Sequence, residues 1–353
     1  MRTLLAVSVL ALGCSSAPIG KAEIVQVVGG LNNPESVAFS ADGKWLFVTN
    51  CASAQFGADK HVGFVAGEAS LSKASVGPDG ALTLVKPKFV ENLTATLGVT
   101  VAPRPFGPYP AGALFVCMGG ALVTDAQGTY ESDAKKLGTS IGVFDPETGA
   151  TLGKIELGVG GAVAFGLGHP LLLPNGIAFD GEGGLLICDT GVGGDHLQPK
   201  IAAKPGVLRL TLGAKGELVG HSFIPVSGCP NGVAWNEKEK STWWVTCGGQ
   251  GPEGGAVFRN GKPVALGIGE SDGIAFTPAG TPIVSRFKGD LVAIVKGGTP
   301  VPIPFEKPFN FPSDIKLWTL ADGSSIVVVP EQEAWNAAPW GQSLRVVKLP
   351  AGY

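Results

Sequence analysis

One short phrase recurs along the chain, and its recurrence constrains the fold more than any other feature of the sequence. The copy "PNGIAFDGEGGLLICDT" contains an alternating apolar run, a polar Gly-rich break and a second apolar run. Alternation with period two is typical of a strand with one buried face, so the phrase predicts a β-hairpin. Five further copies begin at Pro34, Thr96, Pro230, Ser271 and Pro312, and the one at Thr96 is degenerate.

The spacing of these hairpins predicts the architecture. The last three copies start 41 residues apart, at Pro230, Ser271 and Pro312. About 40 residues is the length that four short strands and their turns need in one blade of a β-propeller. Runs such as 206–212 and 256–266 are strand-like and supply outer strands. The sequence therefore predicts an all-β fold, a six-bladed β-propeller.

The two ends of the chain complement each other. The last predicted blade has only three strand-like runs, whereas the run 22–28 precedes the first hairpin without a partner. We expect this N-terminal strand to join the last blade, which closes the ring and removes two unprotected sheet edges. Residues 20–353 then form a single propeller domain.

Residues 1–14 are typical of an export signal. Arg2 is followed by the apolar run 4–12, which is too short to span a bilayer. Two processing routes are possible. The segment "ALGC" is similar to the box at which bacterial lipoproteins are cleaved and acylated, which would attach a lipid to Cys14. The alternative is ordinary secretory cleavage. We expect an exported protein that is periplasmic, secreted or anchored to the outer membrane as a lipoprotein.

Export would permit disulfides among the five cysteines that follow Cys14. Four of them directly follow apolar runs, which is typical of small buried residues at strand ends. Cys229 and Cys247 flank one predicted hairpin and would lie nearly opposite each other, within reach of a disulfide. The hypothesis is that these two are bonded, with Cys51 and Cys117 as the next pair to test.

The charge balance restricts the partners. The chain has 26 Lys and Arg against 29 Asp and Glu, and no basic cluster, so nothing indicates a nucleic-acid partner. No CxxCH motif or Cys/His cluster supports a redox propeller. We expect a monomer that takes a small-molecule substrate or ligand and meets a membrane only through a lipid at Cys14.

One aligned column of the repeats is mostly polar. The residues directly after the first residue of each copy are Glu35, Leu97, Asn175, Asn231, Asp272 and Ser313. The first strand of each propeller blade lines the central channel, so these residues converge on one mouth. Two carboxylates and two amides form an all-oxygen set, which suits Ca²⁺. Asn-Gly is also a tight-turn dipeptide, and we interpret Asn175 as making a turn while directing its side-chain oxygen inward.

The order Glu, gap, Asn, Asn, Asp in these "PxxVAF"-like contexts resembles the regucalcin and gluconolactonase family, with its relatives diisopropylfluorophosphatase and paraoxonase. The resemblance implies a six-bladed propeller that hydrolyses lactones, aryl esters or organophosphates. The calcium ligands that it implies are Glu35, Asn175, Asn231 and Asp272. The chain departs from the family pattern at Gly176, where many relatives have Asp, and at Leu173, where sugar-lactone binders have Arg. Both departures argue against gluconolactone itself as the substrate.

The catalytic residues are less constrained. The resemblance makes Asp272 a candidate nucleophile or water-orienting carboxylate, and Asp195 with His196 in "DTGVGGDH" is the candidate general base. Other polar or aromatic residues of the same loop face are Asp59, His61, Asp189, Arg286, Glu331, Glu333, Trp335 and Trp340. Two functions follow: an exported calcium-dependent hydrolase of a lactone, ester or related small molecule, and a non-catalytic propeller that binds a ligand or protein around a structural calcium.

Overall fold

The computed structural model describes residues 20–58, 61–191, 204–248, 254–332, 343–350 and 353. The predicted export signal, with Cys14, lies outside these residues. Within them the chain forms 27 β-strands and one short helix, α1 (Ala162–Leu167). None of the described helical structure is long and apolar enough to cross a membrane.

Six four-stranded antiparallel sheets follow one another along the chain, and their strands are numbered in chain order. Blade one contains β2 (Pro34–Phe39), β3 (Trp45–Asn50), β6 (Ala69–Val76) and β7 (Leu82–Leu93). Blade two contains β8 (Thr96–Val101), β9 (Leu114–Met118), β11 (Ser140–Phe144) and β12 (Thr151–Glu156). Blade three contains β13 (Pro174–Phe179), β14 (Leu185–Asp189), β15 (Gly206–Leu212) and β16 (Leu218–Pro225).

The remaining blades complete the ring. Blade four contains β17 (Pro230–Asn236), β18 (Ser241–Thr246), β19 (Ala256–Arg259) and β20 (Lys262–Leu266). Blade five contains β21 (Ser271–Phe276), β22 (Pro282–Arg286), β23 (Asp290–Val295) and β24 (Thr299–Pro302). Blade six contains β25 (Lys316–Thr319), β26 (Ser325–Glu331), β27 (Ser343–Lys348) and, outermost, β1 (Glu23–Val28).

The innermost strands contact each other around a closed circle. β2 contacts β8, β8 contacts β13, and the contacts continue through β17, β21 and β25 back to β2. The predicted all-β six-bladed propeller is confirmed. The N-terminal strand β1 pairs antiparallel with β27, from Glu23 opposite Lys348 to Val28 opposite Leu344.

The hydrophobic core lies between neighbouring blades. In β22, Ile283 packs in one apolar cluster with Val327 of blade six, whereas the next residue, Val284, packs in another with Val245 of blade four. Successive side chains of a strand point to opposite faces, so an inner strand that is covered on both faces has consecutive apolar residues, as at Ile283 and Val284. Full burial of each such side chain contributes about 1.5–3 kcal/mol, which holds adjacent blades together.

The turn interpretation of Asn175 is wrong. Asn175 and Gly176 lie inside β13, and neither has a positive φ angle. The pairing of β13 with β14 instead shifts register between Pro174 and Ile177, which is a β-bulge. Gly176 is needed because two blades approach each other closely at this residue.

A small three-stranded sheet is inserted at the mouth side of the ring, where the first strands begin. It consists of β4 (Ser53–Phe56), β5 (His61–Val65) and β10 (Val123–Thr124). The first two strands extend the connection after β3, and the third extends the connection after β9. This inserted sheet therefore links blades one and two beside the mouth.

Candidate functional site

The four predicted metal ligands occupy equivalent positions in four blades. Each is the second residue of an innermost strand, and each is almost fully buried: Glu35 is 2% exposed, Asn175 7%, Asn231 4% and Asp272 3%. Because every innermost strand starts at the same end of the ring, the four side chains lie at one mouth of the channel.

A repeated β-bulge sets the direction of these side chains. In five blades the register between the first and second strand shifts directly after the first paired residue, as between Pro34 and Val37 and between Pro230 and Val233. Two residues of the innermost strand then lie opposite one residue of its partner. Such a bulge changes the direction of a side chain relative to regular pleating.

Glycines in the bulge bring the blades into direct contact. A Cβ added to Gly176 would lie 2.2 Å from the Asn231 carbonyl oxygen, and one added to Gly232 would lie 2.3 Å from the Asp272 carbonyl oxygen. No real Cβ is accommodated at such distances. The Gly176 that departs from the family pattern therefore has a structural role, because it lets the backbones of Asn175 and Asn231 lie side by side.

Blade six contributes two residues to the mouth. Ser313, in the predicted column, is hydrogen-bonded to the Glu35 side chain, and its hydroxyl also lies 3.4 and 3.5 Å from the carbonyl oxygens of Pro34 and Pro330. The buried carboxylate there is that of Asp314, which accepts hydrogen bonds from Ser36 Oγ at 2.6 Å and Lys316 Nζ at 2.8 Å. The predicted column missed Asp314 because it falls one position later, where blades two to five have Gly and blade one has Ser36.

Four buried oxygens at this mouth have no hydrogen-bond partner: Glu35 Oε2, Asn231 Oδ1, Asp272 Oδ1 and Asp314 Oδ1. The Asn231 amide donates to the other Asp272 oxygen at 3.3 Å, which leaves its carbonyl oxygen unpaired. Each unsatisfied buried polar group costs about 1–3 kcal/mol. A group of acceptors without donors fits a cation, so the residues present match the oxygen donors that the predicted calcium requires.

The carboxyl groups at the mouth perturb each other. Burial raises the pKa of Glu35 from 4.5 to about 8, and the Asp314 charge adds to the rise. Burial also raises the pKa of Asp272 well above its usual value, with contributions from Glu35 and Asp314, while Lys316 lowers it. Without a counter-charge these acids therefore favour their protonated forms, and a bound cation would favour the ionised forms.

Among the described residues, no three His, Cys, Asp or Glu side chains are grouped closely enough to hold a metal ion by themselves. Any cation at the mouth would therefore need donors besides these side chains, and the Asn amides can supply them. Asn175 and Asn231 bring such oxygens from blades three and four. The predicted ligand set has this mixed composition.

Solved structures with the same architecture are known. The aldose sugar dehydrogenase of Streptomyces coelicolor, in its PQQ-bound form, matches with a TM-score of 0.57 and 16% identity, over 93% of this chain and 98% of that one. A protein described as a gluconolactonase matches with a TM-score of 0.52 and 14% identity, over 93% of this chain and 92% of its own. The chain therefore shares a propeller fold with both proteins.

A third structure with this fold is an oxidoreductase of Thermus thermophilus described as a glucose dehydrogenase, with a TM-score of 0.54 and 18% identity over 92% of this chain and 99% of that one. No protein-family model matches the chain, and no curated protein matches its sequence. At these identities the similarity extends to the fold alone, since one fold supports several activities.

Several candidates from the loops are engaged in internal contacts. Arg286 donates from Nε to Asp290 at 2.6 Å and from Nη1 to the Ile268 carbonyl at 2.7 Å. Glu331 accepts from Arg345 Nε at 2.9 Å. The structure therefore brings neither side chain to the mouth as a free group. Nε2 of His61, the first residue of β5, lies 3.0 Å from the Gly128 carbonyl in the loop after β10.

These contacts belong to a repeated arrangement at the ends of the second strands. Asn50 accepts a hydrogen bond from the backbone N–H of Asn32, and Glu331 accepts one from that of Asn310. Arg286 likewise binds the Ile268 carbonyl. In each case the side chain fixes the segment that leads into the first strand of its own blade, and so supports the mouth residues from outside the channel.

Asp189 is the strongest example of this support. Its carboxylate accepts backbone N–H bonds from Leu172, Leu173 and Gly191, the shortest at 2.6 Å from Leu173. Burial raises its pKa to about 6, against the effect of these bonds. Leu173, where sugar-lactone binders have Arg, is itself buried beside Asp189. Asp189 thus holds the start of β13, next to Asn175.

The other candidates lie outside the described residues. These are Asp59, Glu333, Trp335 and Trp340, together with Asp195 and His196, the predicted general base. Their assignment remains a prediction from the sequence.

Proposed function

We propose that the chain is an exported calcium-dependent hydrolase of a lactone, ester or related small molecule. The observation that carries the proposal is the set of unpartnered buried oxygens on Glu35, Asn231 and Asp272. With Asn175, these residues would hold one calcium ion at the channel mouth. A gluconolactonase-like fold agrees with this proposal without establishing an activity.

The charges of the site support a divalent ion. Glu35, Asp272 and Asp314 carry three carboxylates, and Lys316 pairs with Asp314 at 2.8 Å. When all are ionised, two negative charges remain, which one divalent cation balances. Zn²⁺ is disfavoured, because the proposed donors are all oxygen.

The chain's own residues would divide the chemistry as follows. A bound calcium ion would polarise the carbonyl or phosphoryl oxygen of a substrate. The Asn231 amide holds one Asp272 oxygen, and the Asp272 carboxylate, besides binding the ion, would orient the attacking water or act as the nucleophile. Asp195 and His196 are the proposed base. Lys316 and Ser36 hold Asp314 beside the mouth, and Lys316 offsets its charge.

The second candidate function is a non-catalytic propeller that binds a ligand or protein around a structural calcium. Gly176 and Leu173 favour it, because one is required for contact between blades and the other is buried in support of β13. Neither position can supply the polar group that the resemblance leads us to expect there. Under either function we propose a monomer that is exported and that meets a membrane only if Cys14 is acylated.

The test combines metal analysis with a substrate panel. We expect elemental analysis of the purified chain to find one calcium per molecule. A panel of lactones, aryl esters and phosphotriesters should show hydrolysis that a chelator abolishes and calcium restores. Asp272→Asn should lose the activity, whereas Asp322→Asn, at an exposed turn, should retain it. Bound calcium without any hydrolysis would favour the binding propeller, and absence of calcium would refute both.

A further inference from the structure

Two of the five described cysteines differ from the rest. Cys51, Cys117 and Cys188 are completely buried, whereas Cys229 and Cys247 are partly exposed, and all five are free thiols. The predicted Cys229–Cys247 disulfide is therefore not formed in this structure. Cys229 and Cys247 nevertheless lie opposite each other at the end of one hairpin, as the sequence predicts.

The pair lies directly across the end of the first hairpin of blade four. Pro230 is opposite Thr246 in the β17–β18 register, which makes Cys229 opposite Cys247. The Cys247 N–H donates to the Cys229 carbonyl at 2.9 Å, and the Cys247 thiol lies 3.4 Å from the same oxygen. Directly opposed residues of this type have Cα atoms about 5.5 Å apart, inside the range that a disulfide spans.

The two sulfurs also contact each other and the mouth. Their side chains are hydrogen-bonded to one another, and Cys247 is hydrogen-bonded to the Asn231 side chain. The Asn231 amide group thus faces both the Cys247 sulfur and Asp272 Oδ2, which leaves its Oδ1 unpaired. Cys247 therefore helps to fix the orientation of one proposed calcium ligand.

We propose that Cys229 and Cys247 are a reactive dithiol, which a small-molecule disulfide such as oxidised glutathione converts reversibly into an intramolecular disulfide. A thiolate of the pair attacks one sulfur of the oxidant and releases one glutathione thiol. The second cysteine then attacks the mixed disulfide and releases the other. One S–S bond forms in the protein while one breaks in the oxidant, so two protein thiols are oxidised and two glutathione thiols are produced.

Disulfide formation would alter the mouth. Bond formation draws the Cys247 sulfur to covalent distance from that of Cys229, which changes the contact that it makes with the Asn231 amide. The Asn231 Oδ1 is then held less firmly toward a cation. This consequence rests on the proposed function, and it predicts weaker calcium binding in the oxidised form than in the reduced form.

The test is thiol–disulfide exchange on the full chain. The protein is equilibrated in buffers of graded oxidised and reduced glutathione, the free thiols are alkylated, and the peptides are mapped by mass spectrometry. We expect one linked peptide pair, Cys229 with Cys247, that disappears on reduction. Cys229→Ser and Cys247→Ser should each accumulate a glutathione adduct on the remaining partner, because no second thiol resolves it. The buried Cys188 should stay unmodified in all three proteins.

A stable glutathione adduct on either cysteine of the wild type, or two unmodified thiols under fully oxidising conditions, would overturn the proposal. Calcium calorimetry on the two redox forms then tests the consequence. The affinity should be lower after oxidation and should not respond to the buffer in the double variant C229S/C247S. If no form binds calcium, the proposed function fails, and the peptide map still decides the chemistry of the dithiol.

Discussion

The Glu35→Gln variant should be more stable than the wild type in chelator at high pH and less stable than the wild type in saturating calcium. In chelator, the Glu35 carboxyl has a pKa of about 8 in the folded chain against 4.5 when unfolded. A group whose folded pKa is raised contributes stability that is present below about pH 4.5 and is lost as the pH rises through about 8. At about 1.4 kcal/mol per pH unit, this loss amounts to about 5 kcal/mol.

Gln keeps the shape of the protonated acid and cannot ionise. In chelator, Glu35→Gln should therefore match the wild type near pH 5 and exceed its free energy of unfolding above about pH 8. The measurement is urea unfolding followed by tryptophan fluorescence across this range. With saturating calcium the order should invert, because the variant has lost one of the charges that hold the ion. Identical pH dependence of the two proteins in chelator would refute the reasoning.

Three further changes test neighbouring parts of the site. Gly232→Ala should destabilise the fold by about 1–3 kcal/mol in thermal or urea unfolding, because the added Cβ would lie 2.3 Å from the Asp272 carbonyl oxygen. The control is Gly323→Ala, where the added Cβ meets open space and only the positive φ causes strain. Asp189→Asn should lower the free energy of unfolding by about 1–3 kcal/mol at neutral pH, since an amide replaces a carboxylate that accepts three backbone N–H bonds. An unchanged free energy of unfolding would mean that those bonds do not hold β13. Lys316→Met should raise calcium affinity in calorimetry, because it removes the positive charge beside Asp314, and lower affinity would contradict this charge assignment.

The propeller was predictable because its signals are local and repeated. Each inner hairpin alternates apolar residues, and the spacing of 41 residues from Ser271 to Pro312 is that of one blade. The run 22–28 also lacked a hairpin of its own, and the structure pairs Glu23–Val28 with the last blade. These features depend on pattern and length, which the sequence contains directly.

The details of the mouth depend on contacts between blades, which no local pattern contains. Asn175-Gly176 has the same composition as a tight turn, and only the neighbouring carbonyl of Asn231 explains why a strand needs that Gly. Asp314 lies one position after the aligned column, and its contact with Ser36 of blade one places it at the mouth. The sequence predicts Glu331 as a free side chain of the loop face, whereas the structure pairs it with Arg345 on the adjacent strand.

The most direct test of the central claim is calcium calorimetry on the wild type, Asn175→Ala and Asp272→Ala. We predict one calcium site in the wild type, a loss of affinity of orders of magnitude in Asp272→Ala, and a smaller loss in Asn175→Ala, where water can replace a neutral ligand. Calcium should also raise the melting temperature of the wild type and leave that of Asp272→Ala unchanged. Equal calcium affinity in the wild type and Asp272→Ala, or no binding in either, would contradict the assignment of the mouth as a calcium site.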